Sequence, residues 1–419
     1  MGRKETVPLV KALGIIVLCG ICAAGVAAAQ DKGSVYSLED LLRLGLERNP
    51  RVTAAAFETE AREAAYRAAR LFANPELEFH LGRAESHDRF ISRDTFGFAV
   101  SQLVENPIKR RHRVAMSRLE WEGSRQAHAL QVLEASYNIK SCFYNILFLE
   151  KREALLKKIA DSVRQMHRLI EVRAELGETK PLDVVKLLVE ALQAEKEQAA
   201  LRAELEQARE ELNILLGGAL PPDFTVTGEL NFLPVPRDDE SLVDRALAEH
   251  PLVQEQRRLL ERARSNVSFI RAQRLPDLTL KGFNDSGLDG VNRGVQFGLS
   301  VPLWNFRSRE LAEARSLSLK GERELAAVRL ELAGGIRDSL RRVRLAGETL
   351  AVFNDALLHE VEQSLEIAEV SYREGEISLL EFLDTQRTYN NVLGDYLRAL
   401  LAWNTEMAAL EKAAGVPIR

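Results

Sequence analysis

Long stretches of the chain place apolar residues at alternating spacings of four and three, a pattern typical of α-helices that pack against other helices. The clearest instance comprises Leu201, Leu205, Ala208, Leu212 and Leu215. The pattern predicts helices over 38–73, 108–176 and 182–216, and again over 241–274, 306–374 and 379–413. A helix as long as 108–176 would extend roughly 100 Å, so two shorter helices stacked end to end could flank it.

Four shorter segments alternate apolar with polar or small residues, which is the period of a β-strand with one apolar face. They are 76–82, 95–103, 277–283 and 295–301, and mostly polar loops at 84–93 and 284–294 connect them in pairs. The pattern alone fits either tilted membrane strands or a soluble sheet. Four strands cannot close a barrel, and an open edge is untenable in lipid, so the membrane reading requires several chains to share one barrel.

The same order of elements occurs twice, because landmarks of the first half recur at an offset of 198 to 201 residues. Pro50 matches Pro251, Asn74-Pro75-Glu76-Leu77 matches Leu275-Pro276-Asp277-Leu278, and Leu216-Gly217 matches Ala414-Gly415. A shared helical bias would explain recurring Leu and Ala but not the placed Pro and Gly. The sequence therefore predicts a first repeat at 30–218, an equatorial inter-repeat segment at 219–240, a second repeat at 241–415 and a tail at 416–419.

The beginning of the chain has the pattern of a secretory signal peptide. Basic residues at Arg3, Lys4 and Lys11 precede an apolar run over 12–26, and three alanines follow. This order predicts cleavage after about Ala29, so that 1–29 form a leader and the mature chain is exported. A retained helical anchor is the alternative.

Composition and motifs disfavour several functional classes. Apolar residues make up 46% and charged residues 28%, which excludes a disordered chain, and the net charge of −5 disfavours nucleic-acid binding. The seven histidines lack metal-ligand spacing, and neither a phosphate-binding glycine loop nor a nucleophile elbow is present. The sequence therefore predicts no metal site, no cofactor and no enzymatic activity. Cys142 lies in an apolar helical run and is interpreted as a small buried side chain.

Two turns and two strand exits carry a resemblance to a known family. The turns read Leu176-Gly177-Glu178-Thr179 and Glu374-Gly375-Glu376-Ile377-Ser378, and the strand exits read Ser101-Gln102-Leu103 and Ser300-Val301-Pro302. In their duplicated order, these segments resemble the TolC-type outer-membrane efflux protein family over about 37–415. The second turn, 372–384, and Asn74-Pro75-Glu76-Leu77 are similar to the branch that serves cobalt, zinc, cadmium or copper exporters.

The resemblance implies a mainly α fold with a membrane β-barrel. Three chains with four strands each would form a homotrimeric 12-stranded barrel in the outer-membrane lipid of a Gram-negative bacterium. Their helices would continue it as a periplasmic α-helical barrel, a coiled-coil tunnel. The implied partners are a periplasmic adaptor (membrane-fusion) protein and an inner-membrane pump of the proton-driven resistance-nodulation-division type. The implied function is a passive exit duct, for heavy-metal cations in the metal branch.

The resemblance also assigns roles to residues at the two turns. Glu381 and Asp384, which share one helix face, correspond to acids that ring the periplasmic entrance in family members. Six carboxylates in a trimer would attract cations, whereas a solvated acid pair is the alternative. Some members place an Arg two residues after the turn glycine, where this chain has Ile377, so other contacts must close the mouth. The residues expected to contact the adaptor are Gly177, Glu178, Thr179, Leu182, Asp183, Gly375, Glu376, Ile377, Ser378 and Leu379.

Two other functions stay open at this point. The same fold also serves the export of drugs, other small molecules or type I secreted proteins. In another class, a soluble periplasmic coiled-coil scaffold or adaptor would share the long helices. An adaptor pairs one helical hairpin with compact β domains, and the sequence has no such β-rich block.

Overall fold

The computed structural model describes residues 34–86, 91–232, 239–287, 290–301 and 304–416 of the 419-residue chain. The predicted signal peptide at 1–29 and the tail residues 417–419 lie outside these ranges. The helices are α1 (Leu38–Arg48), α2 (Pro50–Ala69), α3 (Pro107–Glu175), α4 (Pro181–Leu215), α5 (Asp239–Glu249), α6 (Pro251–Ala272), α7 (Ser308–Ala351), α8 (Asp355–Glu374) and α9 (Leu379–Ala414). The strands are β1 (Val35–Tyr36), β2 (Glu76–Ser86), β3 (Ile91–Val104), β4 (Thr225–Val226), β5 (Leu278–Gly287) and β6 (Gly290–Leu299). Among the helices of the described ranges, none combines the length and the apolar character needed to cross a membrane.

A proline divides each of the helices predicted over 38–73 and 241–274. Pro50 begins α2 and Pro251 begins α6. Proline lacks the N–H of the regular helical bond and disfavours helical backbone at the residue before it. Asn49 and His250 accordingly take extended backbone, with ψ of 122° and 130°.

The helix predicted over 306–374 is also two helices, α7 and α8, which are separated at 352–354. Asn354 takes extended backbone and its side chain accepts the Leu357 N–H at 2.8 Å, so it caps the start of α8. Phe353 packs against Tyr396 of α9, with ring centroids 6.0 Å apart. The counterpart helix α3 is unbroken, so the two repeats differ at this level.

The four long strands form one antiparallel sheet in the order β2–β3–β5–β6. The segments predicted as loops, 84–93 and 284–294, are largely strand, since pairing continues to Ser86 opposite Ile91 and to Gly287 opposite Gly290. Polar residues near the hairpin ends continue the strand pairing, so a run of polar residues there does not indicate a loop. The central pair, β3 and β5, joins the two repeats.

One face of this sheet carries exposed apolar side chains. They are Leu77, Phe79 and Leu81 of β2, Phe96, Phe98 and Val100 of β3, and Val295, Phe297 and Leu299 of β6. The register places Phe79 opposite Phe98 on β2 and β3, and on the same face of the sheet β5, which separates β3 from β6, places Leu278 and Leu280 opposite Leu299 and Phe297. A continuous apolar patch of this kind marks a surface that meets lipid or another protein chain.

The helices bury two apolar clusters along the length of α3. The larger one surrounds Ile139, Phe143 and Ile146 of α3 and includes Trp403 of α9. The second lies near the hairpin ends and includes the fully buried Phe382. Removing such side chains from water contributes about 1.5–3 kcal/mol each. Cys142 is half-buried against the larger cluster, and burial, with a smaller effect of the Glu211 carboxylate, raises the pKa of its thiol to about 11.

Asn49 joins the end of α4 to the start of α2. Its Oδ1 accepts the N–H groups of Arg51 and Val52 at 2.9 and 3.2 Å, and its Nδ2 donates to the Leu215 carbonyl at 2.8 Å. One buried side chain thus satisfies unpaired backbone groups at two helix ends. The short helices α4 and α2 are thereby stacked along α3.

His250 occupies the equivalent position in the second repeat. Its Nδ1 accepts the Leu252 N–H at 3.1 Å, and its Nε2 lies 3.4 Å from the Lys412 carbonyl near the end of α9. Only the neutral imidazole, protonated on Nε2, can make both bonds. Burial lowers the pKa of His250, and the hydrogen bond to Lys412 opposes that effect.

We expect acid to destabilise the contact that His250 makes between the start of α6 and the end of α9. The folded chain holds this histidine neutral, whereas the unfolded chain takes up a proton near the ordinary pKa of 6.5. The free energy of unfolding therefore falls as the pH drops below about 6.5 toward the lowered folded pKa. The adjoining cavity is lined by Arg51, Arg342, Lys412 and Glu134, and within it Lys412 pairs with Glu134 and Arg342 with Glu406 of α9.

Thermal unfolding of the detergent-solubilised chain, from neutral pH to about pH 5, measures this effect. Replacing His250 by Asn, the residue of the first repeat, should flatten the pH profile because Asn makes both bonds at every pH. Replacing the exposed His359 by Asn is the matched control and should keep the wild-type profile. An unchanged profile in H250N would contradict the assignment.

Gly217 and Gly218, just after α4, test how closely the end of α4 packs against the end of α1. Both have positive φ, 68° and 73°, but a Cβ on Gly217 would lie 2.6 Å from the Arg48 carbonyl oxygen, while none of the described atoms lies within 4 Å at Gly218. In both Ala variants, the strain of the left-handed backbone should lower the free energy of unfolding by about 1 kcal/mol. In G217A the free energy of unfolding should fall by about 1–3 kcal/mol more, because α1 must shift. Equal shifts in melting temperature would mean that the Arg48 contact relaxes freely.

Candidate functional site

The two helical hairpins, α3–α4 and α8–α9, end in turns of the same construction. Gly177 and Gly375 have positive φ, 79° and 83°, which favours glycine. The N–H of the residue after each glycine donates back to the preceding helix, at 2.9 and 2.8 Å. In the described chain, no atom lies within 4 Å of a Cβ built on either glycine, so both turns face open space.

The second turn leads into α9 through a reciprocal cap. Ser378 Oγ accepts the Glu381 N–H at 3.3 Å, and Glu381 Oε2 accepts the Ser378 N–H at 2.7 Å. Hydrogen bonds that the Ser378 backbone N–H, first, and the Ser378 hydroxyl donate to the Glu381 carboxylate lower the pKa of Glu381 and keep it ionised. Asp384, one helical turn further, is exposed, and its carboxylate has no hydrogen-bond or ion-pair partner among the described residues.

A stacked aromatic pair lies directly beneath the second turn. Tyr372 of α8 and Phe382 of α9 have ring centroids 5.3 Å apart and planes within 9° of parallel. Burial raises the pKa of the Tyr372 hydroxyl to about 12, the Asp183 carboxylate adds to this, and Arg173 opposes it. The start of α4 and the end of α8 are therefore close enough to interact electrostatically.

Direct polar contacts also link the two hairpins. The Arg173 Nη2 donates to the Arg373 carbonyl at 2.6 Å, joining the ends of α3 and α8. Higher up, Ser162 donates to Glu369 at 2.6 Å, and Arg387 of α9 pairs with Glu190 of α4. The sequence did not identify these partners, since about 200 residues separate each pair and no spacing rule connects them.

The structure places most of the predicted turn residues at the surface. Gly177, Glu178, Leu182, Gly375, Glu376, Ser378, Glu381 and Asp384 are exposed, whereas Thr179, Asp183 and Ile377 are half-buried. Leu379 differs from expectation because it is only 5% exposed and packs in the second cluster. Its side chain supports the turn from below instead of offering a contact surface.

Within the described ranges, no group of three or more His, Cys, Asp or Glu side chains could hold a metal ion. On the sheet, His80 Nε2 lies 2.8 Å from the Asp285 carboxylate. The arrangement at the hairpin turns consists of carboxylates, caps and packing contacts, which can select and position ions or partners electrostatically.

The model of the outer membrane efflux protein family matches the chain twice, over residues 41–218 and 242–416. The chain therefore belongs to the outer membrane efflux protein family and is an outer-membrane efflux channel, which confirms the resemblance found in its sequence.

Individual relatives agree with this membership. The cobalt-zinc-cadmium resistance protein CzcC of Cupriavidus metallidurans is 26% identical over 377 residues, which cover 87% of this chain and 88% of CzcC. The pyoverdine export outer membrane protein OpmQ of Pseudomonas putida is 26% identical over 319 residues, 70% of this chain and 67% of OpmQ. The crystal structure of the channel protein CusC superposes with a TM-score of 0.75 at 18% identity, over 90% of this chain and 92% of CusC. The chain thus has the mostly helical fold of these channels.

Proposed function

We propose that three copies of this chain form the exit channel of a tripartite efflux system, with a 12-stranded barrel in the outer membrane and a periplasmic helical tunnel. The observation that carries this proposal is the four-stranded sheet, whose face is apolar and exposed. Its edge strands, β2 and β6, each pair on one side only among the described strands. In hydrocarbon such edges must be paired, and identical neighbouring chains would supply the partners.

Exposed apolar residues on the helices support the same assembly. Val185, Leu188, Val189 and Leu192 lie on one side of α4, and Ile367 and Val370 lie on α8. Their spacing of three and four residues matches a helix-packing seam. In the proposed trimer, helices of neighbouring chains cover these residues.

At the hairpin turns, the proposed partners are a periplasmic adaptor and, through it, a proton-driven pump of the inner membrane. Both turns are exposed and closed by glycines, so they are accessible to a helical partner. Glu381 and Asp384 would contribute six carboxylates around the tunnel mouth. The channel itself conducts passively, because the pump supplies the driving force.

Heavy-metal cations are the proposed cargo. The support is the similarity to CzcC over 87% of the chain, together with the acidic residues at the turns. A small molecule is the second candidate cargo, because the pyoverdine export protein OpmQ matches 70% of the chain.

A deletion strain tests the cargo, and fractionation tests the assembly. We expect the deletion strain to become sensitive to zinc, cobalt, cadmium or copper but not to a panel of dyes. The full-length protein should sediment with outer membranes and migrate on gels as a trimer that heating dissociates. A monomer in the soluble periplasm would contradict the channel and favour a scaffold.

A further inference from the structure

The junctions between the strands and the helices are strongly basic. Across 67–76, 104–113, 271–278 and 304–310 there are ten basic and four acidic residues. The basic residues are Arg67, Arg70, Lys109, Arg110, Arg111, Arg113, Arg271, Arg274, Arg307 and Arg309. The opposite end of the helices, 171–186 and 369–384, carries nine acidic and four basic residues. Because the whole chain has a net charge of −5, the positive charge is concentrated at the sheet end.

Internal ion pairs account for only part of this charge. Lys109 pairs with Asp277 at 2.7 Å, Arg113 with Glu105 at 2.6 Å, and Arg67 with Glu63 at 2.5 Å. The other seven arginines form no ion pair with the described residues: Arg70, Arg110, Arg111, Arg271, Arg274, Arg307 and Arg309. We call these seven the basic collar. Arg70, Arg111, Arg271, Arg274 and Arg309 are exposed.

Exposed aromatic side chains lie at the same strand–helix junctions as the basic collar. Phe72 is 71% exposed and Trp304 is 95% exposed. The Arg110 guanidinium lies 4.3 Å from the centre of the Phe72 ring, and its Nη2 donates to the Arg70 carbonyl at 2.5 Å. Exposed aromatic rings interleaved with cationic groups are typical of a membrane–water interface.

Both repeats contribute arginines at equivalent positions. Arg70 and Arg271 differ by the repeat offset of 201 residues, and Arg110 and Arg309 differ by 199. Each of the four strand–helix junctions therefore adds free positive charge, and the assembly of three chains would distribute it around the whole circumference. A charge distribution of this shape fits a planar anionic surface better than a single small ligand.

We infer that the basic collar binds the phosphate groups of anionic phospholipids in the periplasmic leaflet of the outer membrane. This inference rests on the proposed function, which places the strands in the membrane and the helices in the periplasm. A guanidinium presents two parallel N–H donors to phosphate, so binding is both electrostatic and directional. Near an anionic surface each arginine is worth about a fivefold change in affinity. The collar would thereby fix the depth of the sheet in the bilayer.

The test uses the full-length protein reconstituted in equal amounts of phosphatidylglycerol and phosphatidylcholine with identical acyl chains. After extraction, native mass spectrometry counts the lipids of each kind that stay bound. The test variant replaces Arg111, Arg271, Arg274 and Arg309 by Gln. The control replaces four other arginines by Gln: Arg168, Arg245, Arg323 and Arg337. They are exposed on the helices and form no ion pair with the described residues.

We expect the wild type and the control to retain about fivefold more phosphatidylglycerol than phosphatidylcholine. The test variant, which keeps Arg70, Arg110 and Arg307, should lose most of this preference, and replacing the same four arginines by Lys should restore most of it. An inserted trimeric test variant with the wild-type preference would overturn this inference alone. A wild-type chain that does not insert into the bilayer would overturn the proposed function as well.

Two further arms identify the source of the phosphate. Free inorganic phosphate at the same concentration should leave the bound lipid unchanged, and displacement by it would overturn a lipid site. In asymmetric vesicles, lipopolysaccharide confined to the leaflet opposite the basic collar should also leave the preference unchanged. Its selective retention through the four arginines would overturn the assignment to the periplasmic side.

Discussion

Replacing Gly375 by Trp is expected to abolish metal resistance while leaving the trimer and its membrane insertion intact. In the described chain nothing lies within 4 Å of a Cβ at this position, so the indole would project outward without disturbing the packing of its own chain. In the proposed assembly this is the surface that meets the adaptor. A large rigid side chain there would hold the two proteins apart. Growth on zinc or cobalt measures the effect, and heat-labile migration on a gel reports the trimer.

Gly375→Ala is the matched control, because both substitutions place a side chain on backbone with a φ of 83°. The left-handed backbone costs about 1–2 kcal/mol in either variant, which a well-packed hairpin tolerates. G375A should therefore retain most of the resistance, and the difference between the two variants reports the bulk of the indole. Wild-type resistance in G375W would remove this turn from the adaptor surface.

Whether the sequence alone located the end of a helix depended on the feature that ends that helix. Pro50 and Pro251 each begin a new helix, but α1 and α2 both pack along α3, and α5 and α6 both pack along α7, so each pair was predicted as one helix. The break at 352–354 has no Pro or Gly; it depends on the cap by Asn354 and on Phe353 packing against Tyr396, a contact made only in the folded chain. Such a break cannot be read from local spacing.

At the hairpin turns, the sequence located the glycines and the acids but not their surroundings. Glycine in left-handed backbone leaves a local signal, and so does the Ser378–Glu381 cap. The burial of Leu379 depends on Phe382 and the second cluster, and the Arg173 contact with the Arg373 carbonyl joins residues 200 positions apart. The basic collar is visible as charge in the sequence, but its meaning depends on where the strands end.

Replacing Asp384 by Asn is expected to weaken block of the channel by multivalent cations roughly tenfold, because three facing carboxylates would be lost from the proposed mouth. Asp384 is the sharper probe of the two acids, since its carboxylate has no described partner, whereas Glu381 also caps α9. Changing Glu381 to Gln would weaken both the charge and the cap. The measurement is the blocking constant of a trivalent cation on the periplasmic side of planar bilayers.

The pH dependence of this block separates the two carboxylates. The hydrogen bonds from Ser378 lower the pKa of Glu381 below its ordinary value of 4.5, so its contribution to cation binding is present at neutral pH and is lost only as the pH falls through that lowered value. In D384N the block that persists should therefore survive mild acid. Replacing Glu366, an exposed acid on α8, by Gln removes the same charge away from the turn and should leave the block unchanged. Equal block in wild type, D384N and E366Q would place Asp384 away from the ion path, and Glu381, one helical turn before it, would then be best explained as a cap alone.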